Sequence, residues 1–418
     1  MYSDFMVALN QKYKCNGEQD LEGMDLQHYK FASSTNERGM NAIGEFEAYG
    51  FRMEGLKILD VGCAYGGFSI EAARKGAICY GVDINSSLYE FACLNNKDEV
   101  YSDGTCEFIL VDATSSEFLE KLPHNYFDLI IVNDVFEHIY DTVQLLSNLS
   151  IVANEVGSIY FAIPNGNDLR FIAREGHTGI CGISLLPPLH WSIMMNTTRS
   201  SIYYRQYEYY QALFGYFGFR EIIPINYPGY ANADNSKNIV DEYENTMQII
   251  CDNKHEISDE FKTYFNVVLE SFEKQFKSDF AKLNTEDLQW KYMTKFWAGF
   301  AHRKNFNLYP ITKTVERKIS SDKAENINFV VLLEGSKLSV EIMCDFLIDE
   351  YEFAFDLLIR GKRIDRTEYQ KTPYYEWNLK SNGLYWVNMY IKHKDHEYKD
   401  YRICAQPLYY GENDKETK

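Results

Sequence analysis

No C-x-x-C pair occurs among the nine cysteines of this 418-residue chain. That excludes a zinc ribbon or a redox dithiol, and cysteines set inside apolar runs (Cys79, Cys106, Cys251) read as reduced thiols rather than a disulfide frame. A run of about 18 apolar residues is also missing, so no membrane-spanning helix is expected. The opening MYSDFMVALNQKYK lacks the basic start and long apolar core of a secretion signal, and the expected location is the cytoplasm. Basic side chains are scarce: 42 against 61 acidic ones give a formal charge of −19. With no basic run to displace counterions from phosphates, nucleic-acid binding and docking on anionic membranes are disfavoured. What remains is the composition of a folded protein, 45% hydrophobic and 25% charged, long enough for two or three domains.

The most informative stretch is KILDVGCAYGGFSI, Lys57 to Ile70. Apolar residues give way to an acid, a glycine cluster and helix formers, which predicts a buried strand, a tight turn and a helix start. Gly62 and Gly66 permit close backbone approach, and the helix aims its free N–H groups and positive dipole end at the same space. Gly62, Ala64 and Gly67 satisfy the loose dinucleotide pattern G-x-G/A-x-x-G, so an NAD-dependent oxidoreductase or sugar epimerase is one reading. In GVDIN a second apolar strand ends at Asp83, about 20 residues beyond Gly62, where an acid binds ribose hydroxyls under either reading. A third strand, CEFILVDA, ends at Asp112, and a fourth, FDLIIVNDVFEHI, ends in a polar cluster after Asn133. The dinucleotide pattern requires neither, and no Y-x-x-x-K pair of a hydride site falls in the catalytic half after the fourth strand.

These four ordered motifs resemble the class I S-adenosylmethionine-dependent methyltransferases, closest to the small-molecule branch that includes the ubiquinone-type O-methyltransferases, over Gly55 to Asp252. The resemblance implies a Rossmann-like seven-stranded sheet and S-adenosylmethionine as cofactor, leaving as S-adenosylhomocysteine. It places the loop Leu59 to Gly66, with Asp60, Gly62, Ala64 and Gly66, under the methionine end of the cofactor. Asp83 falls on the ribose, Ile84 against the adenine face, Asp112 with Ala113 at the adenine amino group, and Asn133 at the pocket's edge. One departure is visible: the family usually has glycine where this chain has Ala64.

Strands and helices alternate from Lys57 to Asn165, which predicts a parallel sheet covered on both faces with ligands at the strand C-termini. Upstream, residues 1–54 read as a helical lead-in and lid. NERGMNAIGEFEAYGF carries Met40, Ile43, Phe46 and Phe51 at near-helical spacing with Asn36 as a cap, and Arg38 is either a contact to the methionine carboxylate or a surface arginine. Downstream, a loop of about forty residues from Gly166 holds His177, Pro187-Pro188, His190-Trp191 and a run of tyrosines, the makings of a substrate pocket. The helix YEYYQALFGYFG and the strand FREIIPI follow. ENTMQIICDN is expected to be the antiparallel last strand, closing a domain at 55–253.

Methyl transfer is an in-line displacement, so a protein aligns the acceptor and removes its proton, with no metal called for. His138 in DVFEH and His190 in PLHW are the candidate catalytic bases, with Asp134 and Glu137 as orienting acids. Each histidine also has a purely structural reading, and His177, among glycines, reads as a loop residue.

Residues 254–316 read as a helical connector. In it Phe261, Phe265, Val268, Phe272, Phe276 and Phe280 form one apolar stripe, either core packing or a seam with a second copy or another partner. DLQWKYMTKFWAGF is expected to be a further helix. After a polar stretch from Arg317 to Asn326, short β-rich runs over 325–412 predict a small all-β sandwich. This module resembles the immunoglobulin-type, tyrosine-rich accessory domains of bacterial surface-polysaccharide enzymes. Its Tyr374, Tyr375, Trp377, Tyr385 and Trp386 are either sugar-facing or core. The expected function is methyl transfer to a hydroxyl or similar group of a small molecule or glycan precursor, and a non-catalytic scaffold is the reading from another class.

Overall fold

The computed structural model describes residues 3–187, 190–191, 202–227, 238–253, 259–303, 315–321, 324–344, 348–359, 362–381, 383–395, 401–404 and 408–410. Pro188 and the side chain of Trp386 lie outside the described residues. The chain forms two compact units, one of Met1–Met40, Met53–Pro228 and Ala233–Lys304, the other of Asn41–Arg52, Gly229–Asn232 and Asn305–Lys418.

The first unit is built on seven strands: β1 (Lys57–Val61), β2 (Ile78–Asp83), β3 (Thr105–Leu110), β4 (Phe127–Asn133), β5 (Ala153–Pro164), β6 (Glu221–Pro224) and β7 (Phe296–His302). Their order across the sheet is β3-β2-β1-β4-β5-β7-β6. The first five run parallel and β7 enters antiparallel between β5 and β6. This is the seven-stranded Rossmann-like sheet anticipated from the motifs. Strand order reverses beside β1, so a crevice opens at the C-terminal ends of β1 and β4, the place where such sheets bind ligands.

The apolar runs explain the strands. Ile58, Leu59, Leu129, Ile130, Ile131 and Val132 are all fully buried, as central parallel strands covered on both faces must be. Helices α4 (Gly67–Arg74), α5 (Ser86–Asn96), α6 (Ser116–Lys121) and α7 (Thr142–Val152) connect them. Asn85 caps α5 by accepting from Ser87 and Leu88 N–H, and Asp141 caps α7 by accepting from Gln144 N–H, each satisfying donors that a helix leaves open.

The N-terminal helices α1 (Asp4–Tyr13) and α2 (Gly23–Ser33) pack through Phe5, Leu9, Tyr29 and Ala32 onto Tyr65 and Phe91. The lead-in therefore rests on the glycine loop itself. Asn36 is not a cap: it lies inside α3 (Thr35–Ala48) and exchanges amide hydrogen bonds with Asn95 at 3.2 and 2.9 Å. Of the expected apolar stripe, Ile43, Phe46 and Phe51 are buried and Met40 is exposed.

Two expectations are corrected. ENTMQIICDN belongs to a helix, Ile239–Asn253, because Tyr243, Met247 and Ile250 recur at helical intervals and turn one face to Leu169 and Phe272. The antiparallel strand is instead β7, FWAGFAH, from the segment read as a helical connector, so the sheet closes well beyond residue 253. Trp297 to His302 are buried throughout, and a short run covered on both faces carries no period to separate strand from helix. The helix Thr285–Tyr292 ends just before it. On the long helix Asp259–Lys282, Phe265, Leu269, Phe272 and Phe276 pack into a cluster with Ile250, Trp191 and Tyr292, whereas Phe280 is exposed. Most of the stripe is core.

The C-terminal residues form two antiparallel sheets. One contains β8 (Val315–Ser321), β9 (Ala324–Glu334), β10 (Lys337–Cys344) and β13 (Tyr374–Asn378); the other contains β11 (Tyr351–Ile359), β12 (Lys362–Arg366), β14 (Gly383–His393), β15 (Tyr401–Cys404) and β16 (Leu408–Tyr410). Of the polar stretch from Arg317 to Asn326, residues 317–321 and 324–326 belong to β8 and β9, which pair with each other. Phe329, Val331, Val340, Phe355, Leu357, Val387 and Met389 share one core. Trp377 and Tyr385 belong to that core rather than to a sugar-facing surface, Tyr375 is half-buried against Phe355, and Tyr374 is exposed.

Candidate active site

The turn after β1 is shaped by three left-handed residues, Gly62 (φ 69°), Ala64 (φ 48°) and Gly66 (φ 78°). At Gly62 a Cβ would come within 2.6 Å of Val135 Cγ2, so glycine lets the turn close against the segment after β4. Gly62 and Cys63 N–H both donate to the Val82 carbonyl, at 2.8 and 3.0 Å, which ties the turn to β2.

Asp83 ends β2, with its Oδ2 accepting Ala64 N–H at 2.9 Å and its Oδ1 accepting Asn85 N–H at 2.8 Å. A carboxylate has about four lone-pair sites, so each oxygen keeps one for a ligand hydroxyl. Next to it Ile84, an apolar side chain just beyond the C-terminal end of β2, is 69% exposed. Asp60 faces the interior instead. Its Oδ2 accepts Ser69 Oγ–H at 3.0 Å, fastening the start of α4. Burial, opposed by that hydrogen bond and reinforced by Asp83, pushes its carboxyl up to about 7.

Asp112 stands at the end of β3, where its Oδ1 accepts both Thr114 N–H and Thr114 Oγ–H at 2.8 Å. Ala113 is buried and its carbonyl accepts Asn148 Nδ2–H at 2.9 Å. Asn133 closes β4 and donates through Nδ2 to Asp134 Oδ2 at 3.0 Å. Gly62, Asp83, Asp112 and Asn133 thus all lie at strand C-termini, around one crevice.

A second polar group sits where the chain leaves β4 and β5. Asp134 adopts φ 53° and donates its N–H to the Ala162 carbonyl. Burial pushes its carboxyl upward, against the opposing charges of His177 and Arg38. Glu137 is 1% exposed, and among the described residues neither carboxylate oxygen has a hydrogen-bond partner. Burial, with Asp134 adding to it, pushes Glu137 up to about 8. His138 Nε2 lies 3.6 Å from Glu137 Oε1, and the His138 and His177 rings meet edge to face at 5.2 Å. Backbone contacts hold this segment: Tyr203 N–H donates to the Glu137 carbonyl, and Arg205 reaches the Ile139 and Tyr140 carbonyls.

His177 is a residue that the sequence reading set aside. Its Nδ1 pairs with Glu175 Oε1 at 2.8 Å, and Glu175 Oε2 accepts the N–H of His177 and of Thr178. Tyr204 Oη donates to Glu175 Oε1 at 2.5 Å. Although burial alone would raise it, these hydrogen bonds from His177, Tyr204 and the backbone draw Glu175 down to about 2. The available signal was an acid two residues before a histidine, with glycine between them.

His190 is placed elsewhere. Its ring stands 4.8 Å from that of Tyr264 and 6.1 Å from that of Phe261, on the long helix Asp259–Lys282, with Nδ1 buried and without a hydrogen-bond partner among the described residues. Arg38, by contrast, belongs to the crevice. It stacks on Phe31 at 3.8 Å and donates from Nη2 to the Phe31 carbonyl, while its Nε–H is buried and has no hydrogen-bond partner among the described residues.

Two curated proteins similar to this chain are the ubiquinone biosynthesis O-methyltransferases of Saccharophagus degradans, 32% identical over 117 residues, and of Histophilus somni, 30% identical over 115 residues. The matches cover 28% and 26% of this chain and 47% and 45% of those proteins, so the chain spans about half the length of each relative. Among solved structures it is similar to a SAM-dependent methyltransferase from Archaeoglobus fulgidus (16% identity, TM-score 0.37, covering 72% of this chain and all of that one). Residues 59–161, from β1 to the body of β5, match the methyltransferase domain family, and this span carries the loop, Asp83, Asp112, Asn133, Glu137 and His138.

Proposed function

We propose that this chain is an S-adenosylmethionine-dependent methyltransferase acting on an oxygen of a small molecule. The observation that carries the reading is the Asp83 carboxylate, held by Ala64 and Asn85 N–H beside an exposed Ile84, within a span that matches the methyltransferase domain family. The residues fit the cofactor. Asp83 keeps lone pairs for two ribose hydroxyls, Ile84 offers an apolar face to adenine, Asp112 and Ala113 flank the adenine edge, and Asn133 borders the pocket. The buried Nε–H of Arg38, without a hydrogen-bond partner among the described residues, suits the methionine carboxylate. Gly62, Ala64 and Gly66 shape the loop beneath, with Asp60 securing it from behind.

The cofactor, when bound, supplies an electrophilic methyl group on a sulfonium. The protein's own part is alignment and proton removal, as positioning dominates an in-line displacement. The group of Asp134, Glu137, His138 and His177 lies beside the loop through Val135, which touches Gly62. It is the acceptor side, where a hydroxyl is oriented and loses its proton. The relatives are O-methyltransferases of ubiquinone biosynthesis, which supports oxygen as the atom methylated. A glycan precursor is the finer proposal for the acceptor; its support is the C-terminal module's resemblance to accessory domains of surface-polysaccharide enzymes.

Calorimetric titration with S-adenosylmethionine, S-adenosylhomocysteine and NAD tests the cofactor. A methyl-transfer assay on phenols, catechols and nucleotide sugars then tests the acceptor. Binding of both sulfur ligands with transfer to a hydroxyl is expected. Binding of NAD alone overturns the reading in favour of an oxidoreductase, and sulfur-ligand binding without transfer to any acceptor favours a scaffold.

A further inference from the structure

We propose that His177 is the general base that takes the acceptor's proton, its ring set by the carboxylate of Glu175, which Tyr204 fixes in turn. The role rests on the methyl-transfer reading. All three residues lie outside residues 59–161, so the match to the methyltransferase domain family does not extend to them.

The hydrogen bonds around Glu175 determine the tautomer of His177. Glu175 is 1% exposed, and four donors converge on it. The backbone N–H groups of His177 and Thr178 reach Oε2 at 2.9 and 2.6 Å, and the Tyr204 hydroxyl and His177 Nδ1 reach Oε1 at 2.5 and 2.8 Å. Despite its burial, the bonds from His177, Tyr204 and Thr178 keep the carboxyl ionised, and an ionised carboxylate only accepts. Nδ1 therefore carries the ring proton. Nε2 of the neutral ring is left as the basic nitrogen, the arrangement in which an acid orients an imidazole and stabilises its cation.

Two backbone N–H bonds suffice to close the turn at Glu175, and the contacts to ring and phenol add direction. Tyr204 is itself confined: a Cβ on Gly166, just past β5, would meet its ring at 2.7 Å, and the Trp191 ring stands 5.7 Å from it. Burial and the charge of Glu175 raise the pKa of the Tyr204 hydroxyl, so it stays a donor.

His177 stands on the acceptor side of the crevice. Its ring meets that of His138 edge to face at 5.2 Å, and its charge bears on Asp134, which adjoins the Val135 that touches Gly62. The side chain is 32% exposed, open to an entering hydroxyl and to the water that carries the proton away. In the step, the acceptor oxygen bonds to the methyl carbon as its O–H proton passes to Nε2. The carbon–sulfur bond breaks with its electron pair leaving on sulfur. The imidazolium so formed faces Glu175 and Tyr204 on one side and His138, Glu137 and Asp134 on the other, with Arg38 beyond Asp134. Only the neutral ring accepts a proton, so turnover rises with pH along one limb. Because the Glu175 carboxylate favours the protonated ring, removing its charge moves that limb to lower pH.

Single-turnover rates of the full chain are measured with saturating S-adenosylmethionine and phenols of graded acidity, between about pH 5 and 9. S-adenosylmethionine affinity and thermal melting are recorded on the same samples. His177→Ala is expected to abolish the limb and to slow transfer to a weakly acidic phenol by about 10²–10⁴, with affinity and melting retained. Transfer to a nitrophenol that is already ionised should slow by less than about tenfold, since no proton remains to be taken. His177→Gln repeats the measurement with the side chain's bulk kept, and Glu175→Gln should shift the limb to lower pH. The ¹⁵N signals of His177, assigned by their loss in the variant, should show the proton on Nδ1. A limb and turnover unchanged in folded His177→Ala and His177→Gln overturn the assignment while methyl transfer stands, and so does a ring protonated on Nε2 alone. A wild-type chain with no affinity for S-adenosylmethionine, or with transfer to no hydroxyl, overturns methyl transfer and the base with it.

Discussion

Across 2.9 Å the Asp83 carboxylate accepts the backbone N–H of Ala64, so the acid at the end of β2 fixes the turn after β1 as well as facing the crevice. Both of its oxygens are in use, the other holding Asn85 N–H. Asp83→Asn replaces one acceptor by an NH₂ that confronts a backbone donor. Hydrogen bonds to a charged group contribute about 1.5–3 kcal/mol, so S-adenosylmethionine affinity should fall roughly ten- to a hundredfold. Calorimetry checks this, and an unchanged affinity places the ribose elsewhere.

Ala64 and Gly66 make a contrasting pair. Ala64 holds φ 48°, a region that costs an L side chain about 1–2 kcal/mol. Ala64→Gly relieves that strain and should leave the melting temperature equal or higher, with S-adenosylmethionine affinity undiminished. Gly66 has φ 78°, and a Cβ there would strike the Phe108 ring. Gly66→Ala should cost about 2–4 kcal/mol through overpacking and backbone strain combined, read as a lowered urea midpoint. Equal stability of both variants would contradict this account of the turn.

The crevice was legible because its parts are local in sequence. Each motif pairs an apolar strand with the polar residue at its end, so the strand and its site residue are read together, as at Asp83, Asp112 and Asn133. The last strand was not legible. FWAGFAH is buried on both faces and joins the sheet 132 positions beyond the end of β5, from Pro164 to Phe296, so only pairing in space identifies it. The acceptor side failed for a related reason. Glu137 and His138 lie next to each other in the chain, but His177 and Tyr204 come from separate parts of a long loop, and a glycine-flanked histidine carries no sign of the carboxylate that will hold it. His190 stood out because prolines and tryptophan surround it in sequence, and Trp191 here packs with Phe265, Leu269, Phe272 and Phe276 of the helix Asp259–Lys282.

Stability should depend on pH through His302. This buried ring on β7 pairs with Ser158 Oγ at 2.6 Å, and burial pushes its pKa down to about 3. The unfolded ring titrates near 6.5, so as pH falls the unfolded chain takes up the proton first. The stabilisation is full above about pH 6.5 and is lost progressively down to about pH 3, by up to about 1.4 kcal/mol per pH unit. Asp60 acts in the opposite sense: with its folded pKa raised to about 7, its contribution is full below the unfolded value of 3.8 and is lost as pH rises to about 7. Urea unfolding between pH 4 and 8 should therefore show a flatter acid limb in His302→Asn and a steeper one in Asp60→Asn. Parallel curves for wild type and His302→Asn would show that the ring titrates alike in the folded and unfolded chain, against a lowering by burial.

The two histidines read as candidate bases should separate under substitution. His138 meets the His177 ring and faces buried Glu137, beside the loop that Val135 and Gly62 join. Loss of a group that positions or deprotonates the acceptor lowers turnover by about 10²–10⁴, so His138→Ala should do this with S-adenosylmethionine affinity within about twofold. His190 instead packs edge-on against Tyr264, with its backbone N–H bonded to the Pro187 carbonyl. His190→Ala should act mainly on folding, lowering stability by about 1–3 kcal/mol and changing turnover by less than about tenfold. Single-turnover rates and urea midpoints on both variants decide the matter. A large rate loss in His190→Ala at undiminished stability would move the acceptor site toward the helix Asp259–Lys282, because a packing residue has no means of slowing the chemical step while leaving the fold intact.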